Sequence, residues 1–235
     1  MRRYSLNRYL VIGVVAVLLY SILLYSGTIY LQERLTEGLL KSTQAAEVVV
    51  ALRPKLPFGL LSGNFTEAQI ELDQAILGPI TADKVILAGQ QVDLALMRLI
   101  RGGPLTFDRL DTVDARLDLS EENLNAYFER FSIASQFLKV TCKTDSFQLG
   151  GVIPIVGRRL EVSLQGTLAV LPENRLRVIP IRLVVQNAEM PPVLLEELLQ
   201  DYLIIPLDLT SLPVPLQLSE VLLAEGGVSV IAHTR

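Results

Sequence analysis

Hydrophobic and polar positions change their spacing several times along this chain, and each change marks an element. Residues 10–31 carry no charged side chain, and as a helix they rise about 33 Å, enough to cross a bilayer. Leu31, Leu35 and Leu39 then recur at helical spacing, which predicts that this helix runs on to about Leu40 and holds the rest of the chain close to the lipid. Short β-branched or alternating runs come next at 48–52, 69–72 and 84–88, with Gly78 and Pro79 between the last two. Val113, Ala115, Leu117 and Leu119 alternate with Asp114, Arg116 and Asp118, the period of a strand with one wet face.

Ser120 stands where a helix N-cap belongs, ahead of Glu121 and Glu122, and Leu124, Tyr127, Phe128 and Phe131 form one apolar stripe of a helix over 121–131. Leu160, Val162, Leu164, Gly166, Leu168 and Val170 line one face of a strand nearly 40 Å long. Pro172, Glu173 and Asn174 break it, and 175–185 returns as a hairpin partner in which Pro180 predicts an edge or a bulge. Over 193–203, Leu194, Leu198 and Tyr202 share a helix face with Leu195, Leu199 and Leu203. Three prolines between 205 and 215 exclude a regular helix there, and 216–223 with 228–231 predict a closing hairpin around Gly226 and Gly227.

The elements define an α+β chain: an N-terminal transmembrane helix, then an elongated, mainly antiparallel sheet packed around amphipathic helices, because a one-sided sheet and an amphipathic helix each need a partner. The expected segments are a cytoplasmic N-terminus (1–9), an anchor (10–31), a membrane-proximal helix or linker (32–44), one folded domain (45–232) and a short tail (233–235). Arg2, Arg3 and Arg8 precede the apolar run and a neutral flank comes after it, so the N-terminus is expected inside and the domain on the extracytoplasmic side. Tyr4 and Tyr9, then Tyr25 and Tyr30, suit the two headgroup belts. A cleaved secretory signal is the rival reading, but such segments have a shorter apolar region ending in an A-x-A-like site.

Composition narrows the chemistry. Half of the 235 residues are hydrophobic, and the mean hydropathy is +0.42. All 25 acidic residues but only 18 of the 21 basic ones come after Leu31, so the domain is formally −7 and nucleic acid is not an expected partner. Cys142 is the only cysteine and His233 the only histidine, which excludes an internal disulfide and every metal site needing two such ligands. Cys142 reads as a small core residue rather than a nucleophile. A Ser-His-Asp triad would have to recruit His233 from a frayed terminus, and there is no G-x-S-x-G elbow, Walker loop or G-x-G-x-x-G. Asn64-Phe65-Thr66 matches a glycosylation sequon that matters only in a eukaryotic secretory setting. No enzymatic activity, cofactor or metal is expected.

The order of several motifs carries a resemblance. Leu56-Pro57-Phe58-Gly59-Leu60-Leu61-Ser62-Gly63 ahead of 65–72, residues 85–92 with Gly89, and Leu119-Ser120-Glu121-Glu122-Asn123-Leu124-Asn125 come first. The 193–203 helix is next, then Ile205-Pro206-Leu207-Asp208-Leu209, Leu212-Pro213-Val214-Pro215-Leu216 and Glu225-Gly226-Gly227-Val228-Ser229-Val230. In this order the chain resembles the LmeA-like phospholipid-binding family over about 45–232. The resemblance implies a bacterial extracytoplasmic domain that binds phospholipid, with a sheet wrapped around helices in the manner of tubular lipid-binding proteins.

The lipid-contacting residues expected on this basis are Leu124, Tyr127, Phe128 and Phe131 on one helix, Leu194, Leu198 and Tyr202 on the other, and Leu56, Phe58, Leu60 and Leu61 in the Pro/Gly-containing loop. Ordinary core packing, or a covered turn for the loop, is the plain alternative for each. Membrane lipids are the expected partner, with local lipid handling or envelope maintenance as the role. The competing reading is a structural or assembly protein of the envelope, with a solid core and a protein partner of unknown identity.

Overall fold

The computed structural model describes residues 21, 26–55, 62–96, 98, 101, 107–130, 138–155, 158–191 and 203–234. Most of the apolar run 10–31 therefore lies outside the described residues, and among those described no helix is long and apolar enough to cross a membrane. Residues 26–43 form helix α1. Strands β1 (Glu47–Pro54), β2 (Asn64–Leu77), β3 (Ile80–Leu94) and β4 (Phe107–Ser120) form an antiparallel meander after it, and helix α2 (Glu121–Glu129) comes next. The chain continues through β5 (Leu138–Lys143), β6 (Ser146–Ile155), β7 (Arg158–Leu171), β8 (Arg175–Val185), β9 (Ala188–Met190) and β10 (Ile204–Pro206). A single 3-10 turn at Leu209–Ser211 precedes the closing hairpin of β11 (Leu216–Ala224) and β12 (Gly227–Thr234).

These strands make two sheets where the sequence pattern predicted one. The first has the order β1-β2-β3-β4-β12-β11; the second runs β10-β8-β7-β6-β5, with β9 also on β8. The closing hairpin is as predicted, but it joins the meander because β12 pairs with β4, Val230 opposite Leu117. The predicted short runs at 69–72 and 84–88 are the middles of two long strands joined by the tight Gly78–Pro79 turn. Gly78 has φ +71, and a Cβ there would lie 2.9 Å from the Asp208 Cβ, so both backbone and space call for glycine.

Alternation does the rest. Leu72, Ala82, Val85, Leu117 and Val230 from the first sheet and Phe147, Leu164, Leu176 and Ile205 from the second are at most 1% exposed and belong to one continuous apolar cluster. The opposite face of the first sheet carries ion pairs such as Lys84–Glu71 at 2.8 Å and Arg116–Asp118 at 2.9 Å. These are solvated pairs whose effect is mainly on solubility and register.

The stripe Leu31, Leu35 and Leu39 is buried in that same cluster. This part of α1 is a component of the domain: the Gln32 amide donates to the Val50 carbonyl at 3.1 Å, and Ala46 N–H, just past the helix, donates to the Asp73 carbonyl at 2.8 Å. α1 thus runs antiparallel to β1.

In β8 the predicted irregularity at Pro180 is a bulge, with Gly166 opposite Pro180 and Gln165 opposite Arg182. It also falls where the outer edge of β8 is free of β9 and β10, so the missing N–H of proline costs no ladder bond. A Cβ at Gly166 would fall on the Ile179 carbonyl oxygen. Gly166→Ala is expected to destabilise the domain by about 1–3 kcal/mol through this overpacking, measurable as a lower urea midpoint at unchanged slope.

Candidate lipid-contacting site

Helix α2 begins where the sequence places it. Ser120 is extended (φ −77°, ψ 161°), its hydroxyl accepts from Asn123 N–H at 3.3 Å, and Glu121 and Glu122 occupy the first turn, next to the positive end of the helix dipole. Ser120 N–H in turn donates to Asp83 Oδ2 at 2.6 Å, which fixes the helix start on β3. Two side chains of α2 cover the free edge of β5. Asn125 accepts from Val140 N–H at 2.7 Å and donates to the Val140 carbonyl at 3.1 Å, and Glu121 accepts from Cys142 N–H at 2.6 Å. The Cys142 carbonyl accepts from Gly226 N–H at 3.1 Å. α2 and the β11–β12 turn therefore close an edge that would otherwise pair with another chain, and they tie the two sheets together.

Of the sequence-predicted contact residues, Leu124, Tyr127 and Phe128 are brought together on the inner face of α2, at 0%, 4% and 5% exposure. The Phe128 ring stands edge-on to Tyr127 with centroids 5.2 Å apart and lies 6.4 Å from Phe147 of β6. The Tyr127 hydroxyl donates to the Ile204 carbonyl at 3.0 Å, so α2 reaches the first residue of β10. Burial pushes the Tyr127 hydroxyl up to about 12, which keeps it a neutral donor. Phe131, Leu56, Phe58, Leu60, Leu61, Leu194, Leu198 and Tyr202 lie outside the described residues.

A groove of about 390 Å³ lies along the 209–216 segment, edged by Asn174, Thr210, Pro213 and Pro215. Its inner residues Leu209, Leu212, Val214 and Leu216 are buried. Asn174, in a left-handed conformation (φ 56°), holds the segment in place: its side chain donates to the Leu216 carbonyl and accepts from Leu218 N–H, both at 3.1 Å, while its own carbonyl accepts from Leu207 N–H at 2.9 Å. Ser211 Oγ is buried beside the groove and has no hydrogen-bond partner among the described residues. The sequence pattern marks this stretch only as proline-rich. Asn174 reads as a turn residue, and its contacts with β11, more than 40 positions away, have no local signature. A second concavity of about 220 Å³ is lined by Asp83, Asp118, Ser120 and Glu225 among others and is acidic.

Residues 30–233 match the model of the LmeA-like phospholipid-binding family. The chain belongs to that family. The match begins inside α1, ahead of the residue 45 from which the resemblance is expected, in keeping with the burial of the α1 stripe. No curated protein and no solved structure matches the chain. The family is one of phospholipid-binding proteins and not a known family of enzymes.

In this LmeA-like protein the two residues that raised catalytic alternatives have structural surroundings. Cys142 is buried on β5, and burial, aided by the Glu121 charge, pushes its thiol up to about 12, far from a reactive thiolate. His233 is not frayed: it belongs to β12, in register with Asp114 of β4, and its Nδ1 lies 2.7 Å from Asp114 Oδ1 on the solvated face. Among the described residues no group of three or more His, Cys, Asp or Glu is arranged to hold a metal ion.

Asp83 carries a pH dependence. Burial by itself would raise its carboxyl, but hydrogen bonds from Ser120, Asn123 and Gln74 outweigh it and hold the group below its ordinary value. The resulting stability is fully present above the unfolded value of about 3.9 and is lost as pH falls through the lower folded value. Asp83→Asn is expected to cost about 1–2 kcal/mol near neutrality, and the difference from the parent protein should shrink as urea melts are repeated from about pH 5 down to about pH 2.

Proposed function

We propose that this protein is a membrane-anchored phospholipid-binding domain on the extracytoplasmic side of a bacterial plasma membrane, acting in local lipid handling or envelope maintenance. Membership of the LmeA-like family carries the binding part of the reading. The uncharged run 10–31 with Arg2, Arg3 and Arg8 before it supports the anchor and its orientation. Acyl chains would lie along apolar surface of an elongated body of the tubular lipid-binding kind. Transfer from a bilayer returns little of the roughly 0.8 kcal/mol per methylene gained from water, so selectivity would come from fit and headgroup contacts.

The test is the lipid carried by the purified full-length chain. After extraction in mild detergent and delipidating washes, mass spectrometry is expected to find phospholipid in stoichiometric amount, above that carried by a single-pass control with an unrelated domain. A ratio equal to the control rejects the reading. The continuity of apolar packing from α1 through both sheets favours the structural or assembly alternative, which expects no retained phospholipid and a reproducible crosslinked protein partner.

A further inference from the structure

The β6–β7 hairpin runs past the strands on either side of it. β5 begins at Leu138 opposite Gly151, and β8 ends at Val185 opposite Val162. Beyond them Val152 pairs with Glu161, Ile153 with Leu160, Pro154 with Arg159 and Ile155 with Arg158. The last described neighbour of this ribbon is Gln186, just past β8, whose N–H donates to the Glu161 carbonyl at 2.9 Å and whose side-chain amide reaches the Arg159 carbonyl at 3.5 Å. These residue pairs carry the ribbon about 14 Å past the end of the second sheet.

Its composition is unlike that of a solvated hairpin. Val152-Ile153-Pro154-Ile155 is uninterrupted apolar sequence, and a strand without polar positions has no face suited to water. Val152 is 41% exposed. Two-stranded ribbons are marginally stable in water at best, so an apolar one needs a cover. Arg158 and Arg159 stand opposite Ile155 and Pro154, with no acidic residue between Ser146 and Leu160. Arg159 is exposed and makes no ion pair among the described residues. Pro154 decides between covers. It lies where β6 has lost β5, and a proline there has no N–H to offer an added strand, which makes the ribbon a poor template for another polypeptide. A lipid surface needs no such ladder: it takes up apolar side chains, and its phosphates suit arginines.

We propose that the projecting end of the β6–β7 hairpin is a membrane-contacting ribbon, with Val152, Ile153 and Ile155 entering the headgroup layer of a bilayer and Arg158 and Arg159 meeting lipid phosphates. A headgroup layer is about 5–7 Å deep, so a projection of about 14 Å reaches through it. This contact with a membrane surface goes beyond the phospholipid the protein is proposed to carry, and it depends neither on that ligand nor on the anchor.

The test uses the full chain with a fluorophore on Val152→Cys or on Glu225→Cys, in the β11–β12 turn that abuts the other end of β5. Buried Cys142 stays unlabelled in the folded protein and reports unfolding if it reacts. In one arm the chain is reconstituted in vesicles of phosphatidylcholine and phosphatidylglycerol at about 3:1 that contain headgroup-linked nitroxide lipid. In the other, the nitroxide lipid is in protein-free vesicles of the same composition added to the chain. The label at 152 is expected to be quenched several-fold more strongly than that at 225 in at least one arm, and the arm tells which membrane the ribbon touches. I153D/I155D and R158E/R159E should each reduce the quenching at 152. Quenching at 152 no stronger than at 225 in both arms, or unchanged by either pair of substitutions, overturns the proposal. Flotation after alkaline washing reads the anchor separately, and retained phospholipid reads ligand binding, so the ribbon can fail while both stand. Should a substituted chain expose Cys142, the comparison of sites 152 and 225 on the otherwise unaltered ribbon decides.

Discussion

Phe128→Ala is expected to lower the unfolding free energy by about 3–5 kcal/mol, the range for removing a buried aromatic ring whose surroundings relax only in part. Phe128 is 5% exposed between Tyr127 and Phe147, and these sit in the apolar cluster that includes both sheets. Urea unfolding at constant slope measures the loss, and a double-mutant cycle with Phe147→Ala should return a coupling of about 0.5–1.5 kcal/mol from the ring contact. The result bears on function as well. A cost below about 1 kcal/mol would mean that the ring faces space the protein does not fill, the behaviour of a lipid-lined wall. The full cost assigns it to the core and moves lipid contact to other parts of the surface.

Asn125→Leu is expected to cost about 3 kcal/mol although it adds apolar surface. The change strands the Val140 N–H and carbonyl, both now satisfied by one side chain, and each unpaired buried group costs about 1–3 kcal/mol. The wider effect is on association. With Asn125 gone, β5 offers an open strand edge, so the variant should self-associate at concentrations where the parent protein does not, read by sedimentation or light scattering. A loss below about 1 kcal/mol with unchanged association would mean that water serves the strand edge as well as Asn125 does.

The elements with strong local signals emerge in the structure close to where periodicity puts them. β4 matches the alternation of 113–119, α2 its Ser120 cap, β7 the long alternation of 160–170, and β11–β12 the Gly226–Gly227 turn. Each signal comes from neighbouring residues and survives without knowledge of the partner. β6 has no such signal, because Gly150, Gly151 and Pro154 interrupt its apolar positions; it is a strand because β5 and β7 pair with it on either side.

Leu124, Tyr127 and Phe128 were legible as one helix face, and the family itself was legible in the order of motifs. By itself the sequence also determined the α+β class and the absence of the usual catalytic and metal motifs, since these depend on residue type and spacing. Only the tertiary structure decided that the strands divide into two sheets, that Leu31, Leu35 and Leu39 face the domain core, and that Asn125 and Asn174 bind strands distant in sequence. An apolar stripe at helical spacing specifies that a face must be covered and not what covers it. The choice between lipid and protein is made by long-range packing, where burial against any apolar partner relieves the same contact with water.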